Sequence, residues 1–344
     1  MKIIFRADAN KNIGFGHAMR CMSLADAFVK KGQKCIFVEA DESFAETITN
    51  RGYECRILNS DYRNMEGEID LLEEILEKEK PDLLIIDSYY VTNEYLSNVK
   101  KKVKTVYFDD VLAFPYNADI LVNYNVYADE NGYKKLYDGL SLPKLILGTK
   151  YAPLRNEFSN AVPKKLREKA KNVLVSVGGS DPYHIAESFV KMIDSFDELK
   201  NNLVFDFVLS NMQPDLLKIK EFAQKVSWLN VYENVKDMKA LMDKADMAVS
   251  ASGSTQYELC ACGVPTVNYA FADNQLEGGE KFGKDGIFIY AGDLRNNNDF
   301  YGKVGNILTE LYKDYDRRKQ MSERAYALID GYGAERLAEE LMHE

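Results

Sequence analysis

The hydrophobic residues in the first half of the chain follow two patterns that alternate along the sequence. Short runs rich in β-branched residues, typical of buried parallel strands, are separated by segments with helical periodicity. Residues 18–31 and 66–79 each place their apolar side chains on one helical face. The runs predicted to be strands are 2–6, 34–39, 54–58, 83–87 and 105–108.

The same alternation restarts after a polar, basic stretch at 163–171. Two tandem arrays of this kind predict an α/β fold with two Rossmann-like, doubly wound domains, which we expect at 1–160 and 161–344. The last helices, within 302–344, could pack back on the N-terminal domain. With two such sheets facing one another, a ligand is expected in the cleft between them. The strands predicted in the second half are 172–177, 203–209, 228–232, 247–251 and 266–270.

Charge and composition narrow the classes of ligand. The 344 residues carry a net charge of −10 and no long run of Lys and Arg, which argues against nucleic acid as a partner. An anionic small molecule would have to be held locally, by the N–H groups of helix N-termini. The five cysteines fit reduced core residues, and no apolar run has the length of a membrane span, so we expect a cytoplasmic protein. No spacing typical of a metal site occurs, and we expect neither a metal nor a cofactor.

A glycine-rich turn containing Gly14, Gly16 and His17 follows the first predicted strand. Glycine lets the backbone approach a ligand closely, and a helix beginning near His17 would present free N–H groups to that ligand. A plain tight turn with a capping or surface imidazole would show the same pattern. Three charged residues nearby favour a functional site: Arg6, Asp8 and Arg20.

Three turns of the second half also follow predicted strands. Gly178 and Gly179 favour close contact with a ligand, although a simple left-handed turn would also use glycine. Ser180 or Asp181 can cap the helix that follows this turn. A polar turn with Asn274 and Gln275 suits either sugar hydroxyls or a helix cap. Small residues at a predicted helix N-terminus can hold a diphosphate without a basic side chain, and they are Ser252, Gly253, Ser254 and Thr255.

Glu258 lies about one helical turn beyond Thr255. Its carboxylate could accept hydrogen bonds from a ribose diol on the same face. A capping box, with Ser254 or Thr255 as the cap and Glu258 as its partner, explains the spacing equally well.

Motifs spread over nearly the whole chain resemble those of a known family. The matching segments are 5–9 (FRADA), 13–21 (IGFGHAMRC), 86–89 (IDSY), 108–110 (FDD), 147–155 (LGTKYAPLR), 176–182 (SVGGSDP) and 252–255 (SGST). Through them the chain is similar to the UDP-sugar hydrolases of pseudaminic acid biosynthesis, which act on UDP-2,4-diacetamido-2,4,6-trideoxy-β-L-altropyranose, and to related spore-coat polysaccharide biosynthesis proteins. The resemblance implies a glycosyltransferase-B type fold.

The resemblance also implies an activity and a set of site residues. The activity is hydrolysis of a UDP-linked diacetamido-trideoxy altrose to UDP and the free sugar, on the way to a nonulosonic acid. His17 would be catalytic, and Tyr89 would lie beside the reacting sugar. The residues implied to contact UDP are Ser254, Thr255, Glu258 and, through the backbone of 233–235, Val235; those implied on the sugar side are Asn274 and Gln275.

One residue departs from the family pattern, and several other functions remain open. The family often has histidine inside its Asp-x-Tyr segment, where this chain has Ser88, so a different diacetamido sugar could be preferred. A glycosyltransferase acting on an amino sugar would use the same fold. An epimerase that also hydrolyses and a non-catalytic nucleotide-sugar-binding protein are compatible with the sequence as well. A dehydrogenase is disfavoured because the first turn lacks the third glycine of the dinucleotide fingerprint.

The simplest mechanism requires one base and donors for the leaving group. Neutral His17, oriented by Asp8, would take a proton from the water that attacks the anomeric carbon. N–H groups near Ser254 and Thr255 would stabilise the departing diphosphate. This single displacement predicts inversion and needs no metal. The expected oligomeric state is a monomer or a weak homodimer.

Overall fold

The structure, a computed structural model, divides the chain into two compact units. Unit 1 consists of Met1–Asn156 and Tyr332–Glu344, and unit 2 consists of Glu157–Gly331. The first boundary therefore lies after Asn156, slightly before the expected boundary at residue 160. The residues described are 1–10, 13–162, 164–179, 181–211 and 213–344.

Unit 1 is built on a parallel sheet whose described strands are β1 (Lys2–Ala7), β2 (Lys34–Glu39), β3 (Glu54–Ile57), β4 (Leu83–Asp87), β5 (Thr105–Phe108), β6 (Ile120–Asn123) and β7 (Lys144–Leu147). Their spatial order is β3-β2-β1-β4-β5-β6-β7. The chain thus winds outward in one direction from β1 and in the other from β4. In sheets of this topology, ligands bind at the carboxyl ends of the strands where the direction reverses.

Helices connect these strands: α1 (Gly16–Lys30), α2 (Ala45–Asn50), α3 (Ile69–Glu79), α4 (Asn93–Lys100) and α5 (Glu130–Leu136). The inward face of α1 buries Cys21, Leu24 and Phe28 against the sheet. Phe28 meets Phe5 of β1 edge-on, with ring centroids 6.3 Å apart. Because α1 is fixed in this way, the residues at its N-terminal end are held at the carboxyl end of β1.

Unit 2 has a second parallel sheet, formed by β8 (Asn172–Ser176), β9 (Val204–Leu209), β10 (Leu229–Glu233), β11 (Met247–Ala251), β12 (Thr266–Ala270) and β13 (Ile289–Asp293). Its order is β10-β9-β8-β11-β12-β13, so the direction reverses between β8 and β11. Its helices are α6 (Ile185–Ser195), α7 (Asp197–Asn202), α8 (Leu216–Ala223), α9 (Met238–Lys244), α10 (Thr255–Ala261), α11 (Leu276–Lys284), α12 (Phe300–Leu311) and α13 (Tyr315–Leu328).

The last helix, α14 (Gly333–Met342), belongs to unit 1 and packs on α1. Lys30 of α1 forms an ion pair with Glu335 at 3.0 Å. Gly333 lies so close to Ala152 that an added Cβ would sit 2.1 Å from the Ala152 carbonyl oxygen. Of the C-terminal helices, it is therefore α14 that returns to the first sheet, while α12 and α13 remain with the second.

The predicted α/β class with two Rossmann-like domains is confirmed. The ten predicted strands all exist, with ends that differ by at most one residue. Three strands were missed: β6 and β7 are short, and β13 contains Gly292 and Asp293, residues that weaken a strand pattern. Within the described residues, no helix combines the length and the apolar character that crossing a bilayer requires.

Candidate active site

Ionisable side chains converge at the carboxyl ends of β1, β4 and β5. Asp87 is the last residue of β4, Asp110 follows β5, and His17 lies in the first turn of α1. The direction of the sheet reverses between β1 and β4. The three groups therefore occupy the position where doubly wound sheets bind ligands.

His17 and Asp87 form a pair. Nδ1 of His17 lies 2.6 Å from Oδ1 of Asp87, and the two side chains are 11% and 0% exposed. A carboxylate at Nδ1 keeps the ring proton on that nitrogen, which makes Nε2 the basic nitrogen. The pair thus has the arrangement by which histidine serves as a general base in other enzymes.

Arg20 joins this pair to a second carboxylate. Its Nη2 lies 2.6 Å from Oδ1 of Asp87 and 2.8 Å from Oδ2 of Asp110. Nη1 donates to Oδ1 of Asp110 at 3.1 Å and to the hydroxyl of Tyr124 at 2.9 Å, and Nε donates to Asp87. These bonds occupy the five N–H groups of the guanidinium. Arg20, predicted to bind substrate, holds two carboxylates instead.

Charge balance keeps these carboxylates ionised. Burial alone would raise the pKa of Asp87, but Arg20 and then His17 outweigh it and hold that pKa well below its usual range. The same competition, with Arg20 as the main opposing charge, lowers the pKa of Asp110. Burial raises the pKa of the Cys21 thiol, whose sulfur lies 3.6 Å from Asp87. The imidazole therefore lies beside two buried anions that share one permanent cation.

Arg6 and Asp8 belong to a separate group, the Arg6 cluster, which comprises Arg6, Asp8, Glu39 and Glu68. Arg6 is fully buried, with Nε 2.6 Å from Glu68 and Nη1 2.7 Å from Asp8. The other oxygen of Asp8 accepts a hydrogen bond from the backbone N–H of Ala40 at 2.8 Å. Two predictions are therefore corrected. Arg6 is too deeply buried to contact a substrate, and Asp87, not Asp8, orients the imidazole, because Asp8 is needed to keep the buried guanidinium paired.

Tyr89 stands at the outer side of His17. The two rings meet edge to face, with centroids 4.5 Å apart and planes at 84°. Tyr89 is 42% exposed, and its hydroxyl donates to Oδ2 of Asp110 at 3.3 Å. The neighbouring Ser88 is buried, and its hydroxyl accepts from the N–H of Tyr90 at 3.2 Å, so it shapes the turn.

The glycines of the first turn have different local roles. Gly14 has a φ of +78°, a conformation that favours glycine, and its N–H donates to the carbonyl of Asn10 at 2.8 Å. An added Cβ at Gly14 would meet no atom within 4 Å. Gly16 is the first residue of α1. Together they bring the chain back from β1 and set the start of the helix that carries His17.

In unit 2, the turn after β11 is made of small neutral residues. Ser252 and Gly253 donate their N–H groups to the carbonyls of Tyr269 and Ala251, at 2.7 and 2.9 Å. Ser254 is exposed and its side chain makes no capping hydrogen bond to α10, which begins at Thr255. The capping-box alternative is therefore not formed through Ser254. Glu258 is half-buried on α10.

The buried side-chain amide of Asn268 supports the turn after β11. Asn268 of β12 is 0% exposed, and its Nδ2 donates to Oγ of Ser252 at 3.2 Å and to Oε1 of Gln256 at 2.9 Å. A Cβ added at Gly279 would lie 2.8 Å from the same Ser252 oxygen and 2.6 Å from the Tyr290 ring. The back of the turn is thus fixed by close packing and by neutral hydrogen bonds.

The turn after β8 is also a candidate for binding a ligand, but several of the polar groups around it are already hydrogen-bonded within the protein. Gly178 and Gly179 are exposed, and Gly178 has a φ of +95°. Their carbonyls accept from Gln213 at 3.1 Å and from Ser210 at 2.8 Å. Asp181, one of the two predicted caps, accepts from N–H groups 185 and 186 at 2.7 and 2.9 Å, so these two donors of α6 are occupied. Ser180, the other predicted cap, lies outside the described residues.

The remaining predicted contacts lie on loops at the carboxyl ends of β10 and β12. Val235 is half-buried and follows Asn234, whose φ is +47°. Asn274 is exposed. The side-chain carbonyl of Gln275 accepts from the N–H of Phe271 at 3.0 Å, so part of this amide stabilises the loop.

Three important residues were missed as site residues: Asp87, Asp110 and Asn268. Asp87 ends one predicted strand and Asp110 lies two residues beyond another, and the parallel arrangement brings such positions to one edge of the sheet. Asn268 is a polar residue inside the apolar run of β12, where it must find a buried hydrogen-bond partner. All three signals were present in the sequence.

Comparisons with known proteins give relatives over most of the chain. A UDP-2,4-diacetamido-2,4,6-trideoxy-beta-L-altropyranose hydrolase of Campylobacter jejuni is 28% identical over 74% of this chain and 86% of its own. The spore coat polysaccharide biosynthesis protein SpsG of Bacillus subtilis is 24% identical over 95% and 94%. The predicted resemblance is confirmed. An uncharacterized protein of Methanocaldococcus jannaschii is 27% identical over 78% of this chain, which spans only 55% of that relative's length. No protein-family model matches.

Solved structures match the whole chain at low identity. MurG of Acinetobacter baumannii superposes with a TM-score of 0.70 at 11% identity, covering 100% of both chains. CalG4, the calicheamicin glycosyltransferase, gives 0.67 at 14%, covering 99% and 97%. MnaA of S. aureus, solved with UDP, gives 0.66 at 17%, covering 99% and 96%. These matches confirm the glycosyltransferase-B type fold.

Proposed function

We propose that this protein hydrolyses a UDP-linked diacetamido-trideoxy sugar of the altrose type to UDP and the free sugar, with inversion at the anomeric carbon. The observation that carries the proposal is the His17–Asp87 pair at the reversal point of the first sheet. The substrate class comes from the names of the Campylobacter relative and of a two-function Helicobacter pylori protein that is 23% identical. A role in nonulosonic acid biosynthesis in the cytoplasm belongs to the same proposal.

His17 acts as the base. Its Nε2 takes a proton from water while the water oxygen bonds to the anomeric carbon. The bond from that carbon to the β-phosphate oxygen breaks, and its electron pair leaves with UDP. Asp87 stabilises the imidazolium that forms, and Arg20 keeps Asp87 ionised and in place. A single displacement places the new hydroxyl on the opposite face of the sugar.

Unit 2 binds the nucleotide in this proposal. The N–H groups and hydroxyls of Ser254 and Thr255 hold the diphosphate, and Glu258 accepts from the ribose. The backbone at Val235 meets the uracil, and Asn274 and Gln275 contact the sugar. The glycines 14, 16, 178 and 179, with Ser252 and Gly253, allow the backbone to approach the ligand. No metal takes part in the proposed reaction.

A direct assay tests the proposal. The purified protein is incubated with UDP-2,4-diacetamido-2,4,6-trideoxy-β-L-altropyranose and chelator, without an acceptor, and UDP release and anomeric configuration are followed by NMR. UDP release with the inverted anomer formed first supports the hydrolase. If UDP binds but no sugar is released, the hydrolase is refuted and a transferase that needs an acceptor is favoured. Activity lost in chelator and restored by Mg²⁺ would overturn metal independence.

A second substrate addresses Ser88. The corresponding UDP-linked 2,4-diacetamido sugar with a different ring configuration is assayed beside the altrose compound. Because Ser88 is buried and bonded within its own turn, we expect it to exert little direct selection. A preference for the other sugar that reverses in Ser88→His would show that this position selects the substrate.

A further inference from the structure

Asp110 is a carboxylate that the proposed mechanism leaves without a task. Its side chain is only 9% exposed, although it lies in the loop after β5. Its oxygens accept from Arg20 at 2.8 and 3.1 Å, from Nδ2 of Asn125 at 2.8 Å and from the Tyr89 hydroxyl at 3.3 Å. A carboxylate that accepts from this many donors is held in one position and in its ionised form.

The backbone beneath Asp110 is also fixed. Asp109 accepts from N–H groups 111 and 112, each at 2.9 Å, which closes the turn. The Tyr127 hydroxyl donates to the carbonyl of Asp110 at 2.8 Å. The Asp110 carboxylate is anchored by its own backbone and by Arg20. The exposed Tyr89 is therefore the partner whose position adjusts to it.

These contacts close a ring of side chains around the proposed base. Asp87 joins His17 to Arg20, Arg20 joins Asp87 to Asp110, and Asp110 returns to His17 through Tyr89. Tyr89 is 42% exposed, so solvent on its outer side would let it turn about its side-chain bonds. The hydrogen bond from its hydroxyl fixes the ring against the imidazole.

We propose that Asp110 is a positioning residue for the hydrolysis, with two effects. It holds Tyr89 against His17, and it adds a second negative charge that favours the imidazolium formed when His17 takes the proton from water. The consequences for turnover rest on the proposed function. The consequence for the charge of His17 does not depend on that function.

The charges of the groups around the His17 imidazole determine the direction in which Asp110 changes its protonation. With Asp87 and Asp110 ionised and Arg20 charged, these three groups carry one net negative charge. Burial raises the pKa of the Cys21 thiol and of the Tyr124 phenol, the latter to about 12, so both are neutral. The Arg6 cluster is unaltered by a change at Asp110. Asp110→Asn therefore removes the excess negative charge, and protonation of the ring becomes less favourable.

The experiment compares Asp110→Asn with Tyr89→Phe and with a matched control. Asp26→Asn is the control, because Asp26 lies on α1, is 14% exposed and pairs with an arginine, Arg51, away from the site. The full-length variants carry ¹³C-labelled histidine, and the ring resonances are titrated by NMR. The chain has three histidines, His17, His184 and His343, so the spectrum is simple to assign with His17→Asn. The pH dependence of kcat and KM is measured on the same samples.

Expected results differ between the variants. Asp110→Asn moves the titration of His17 to lower pH and lowers kcat about tenfold or more, as loss of a residue that orients a reactive group does. Tyr89→Phe lowers kcat without moving the titration, because it changes no charge. Asp26→Asn changes neither. An unmoved His17 titration in folded Asp110→Asn would overturn the proposal. The titration needs no substrate. It therefore tests the role of Asp110 even if the wild type releases no UDP, and a lack of UDP release would refute only the proposed hydrolase activity.

Asp110→Glu provides a second variant if the amide form does not fold. It keeps the negative charge but moves the carboxylate, so we expect a titration like that of the wild type with a reduced kcat. Wild-type kcat in Asp110→Glu would show that Tyr89 is not positioned by this carboxylate.

Discussion

The turn after β1 and the turn after β11 each lie beside the point where the strand order of their sheet reverses, yet they are built from opposite chemistry. The first leads to a buried set of charges, in which Arg20 binds Asp87 and Asp110 beside His17. The second is supported by the neutral amide of Asn268 and by close packing at Gly279. The reversal point of a sheet therefore fixes where a site lies and leaves open what the site can do.

The difference fits a division of labour. A base that gains a proton during the reaction benefits from fixed negative charge nearby, which the first turn has. A turn that binds an anionic diphosphate needs donors, and small neutral residues provide them without carboxylates that would repel the ligand. Variants of each turn should therefore damage different steps, catalysis at the first turn and binding at the second.

The largest effect is expected at His17. His17→Asn removes the base and should lower kcat about 10³-fold, while the Kd for UDP changes less than about threefold. The matched control is His184→Asn in unit 2. His184 also pairs with an aspartate, Asp215, at 2.6 Å, but its side chain is 57% exposed. Stopped-assay kinetics and calorimetric titration with UDP check both variants. Equal losses in the two variants would show that the buried setting of His17 has no special role.

A smaller loss is expected at Asp87. Asp87→Asn keeps an oxygen for Nδ1 of His17 but removes the charge that stabilises the imidazolium, so kcat should fall about 10²-fold. The matched variant Asp8→Asn leaves the ring's own partner intact, and we expect a kcat closer to that of the wild type. Circular dichroism confirms folding, since each change disturbs a buried ion pair. A greater kcat loss in Asp8→Asn would restore Asp8 as the orienting group.

Most of the fold could be predicted because its signals are local. Runs such as 83–86 are apolar throughout, as strands covered on both faces must be, and helical periodicity separates them. The same approach failed for β13, which contains glycine and aspartate. The return of α14 to unit 1 depends on packing between segments far apart in the chain, and such packing leaves no local pattern.

The site was predicted less completely than the fold. The glycine turn and His17 were predicted as site residues from their position after β1, and Tyr89 was predicted from the family resemblance. The partner of the imidazole was assigned wrongly, because Asp8 is near in sequence whereas Asp87 is near in space. Arg6 looked like an anion-binding residue until its burial with Glu68 was known. Which carboxylate pairs with which cation depends on side-chain direction, and the pattern of residue types does not specify it.

At the turn after β11 we expect a change in binding without a change in the base. The double variant Ser254→Ala, Thr255→Ala removes two hydroxyl donors, so UDP should bind about tenfold more weakly, as the loss of one or two neutral hydrogen bonds implies. Thr309→Ala is the control, because its hydroxyl donates within α12, to the Gly305 carbonyl at 2.8 Å. Calorimetric titration with UDP measures both. An unchanged Kd in the double variant would remove these hydroxyls from the proposed diphosphate site.

The smallest effect concerns the Arg6 cluster and appears as a pH dependence of stability. Glu39 is 2% exposed, and burial, followed by the nearby Asp8, raises its pKa well above 4.5. Below pH 4.5 the carboxyl is protonated in both the folded and the unfolded chain, so it has no effect on stability. Above that pH the unfolded chain releases the proton while the folded protein keeps it, and the wild type loses stability as pH rises through this range.

Glu39→Gln removes the carboxyl whose protonation differs between the folded and the unfolded chain, and it keeps a neutral side chain of similar shape. Its stability relative to the wild type should therefore increase between pH 5 and pH 8, by at least about 1 kcal/mol. Urea unfolding followed by far-UV circular dichroism measures the difference, and Trp228, the single tryptophan, gives a separate signal from unit 2. The exposed Glu310→Gln in unit 2 is the control and should show no such trend. A Glu39→Gln difference that stays constant with pH would mean that this carboxyl is ionised in the folded protein. In that case Arg6 would share its charge among three carboxylates, and the contrast between the charged first turn and the neutral second turn would be still greater.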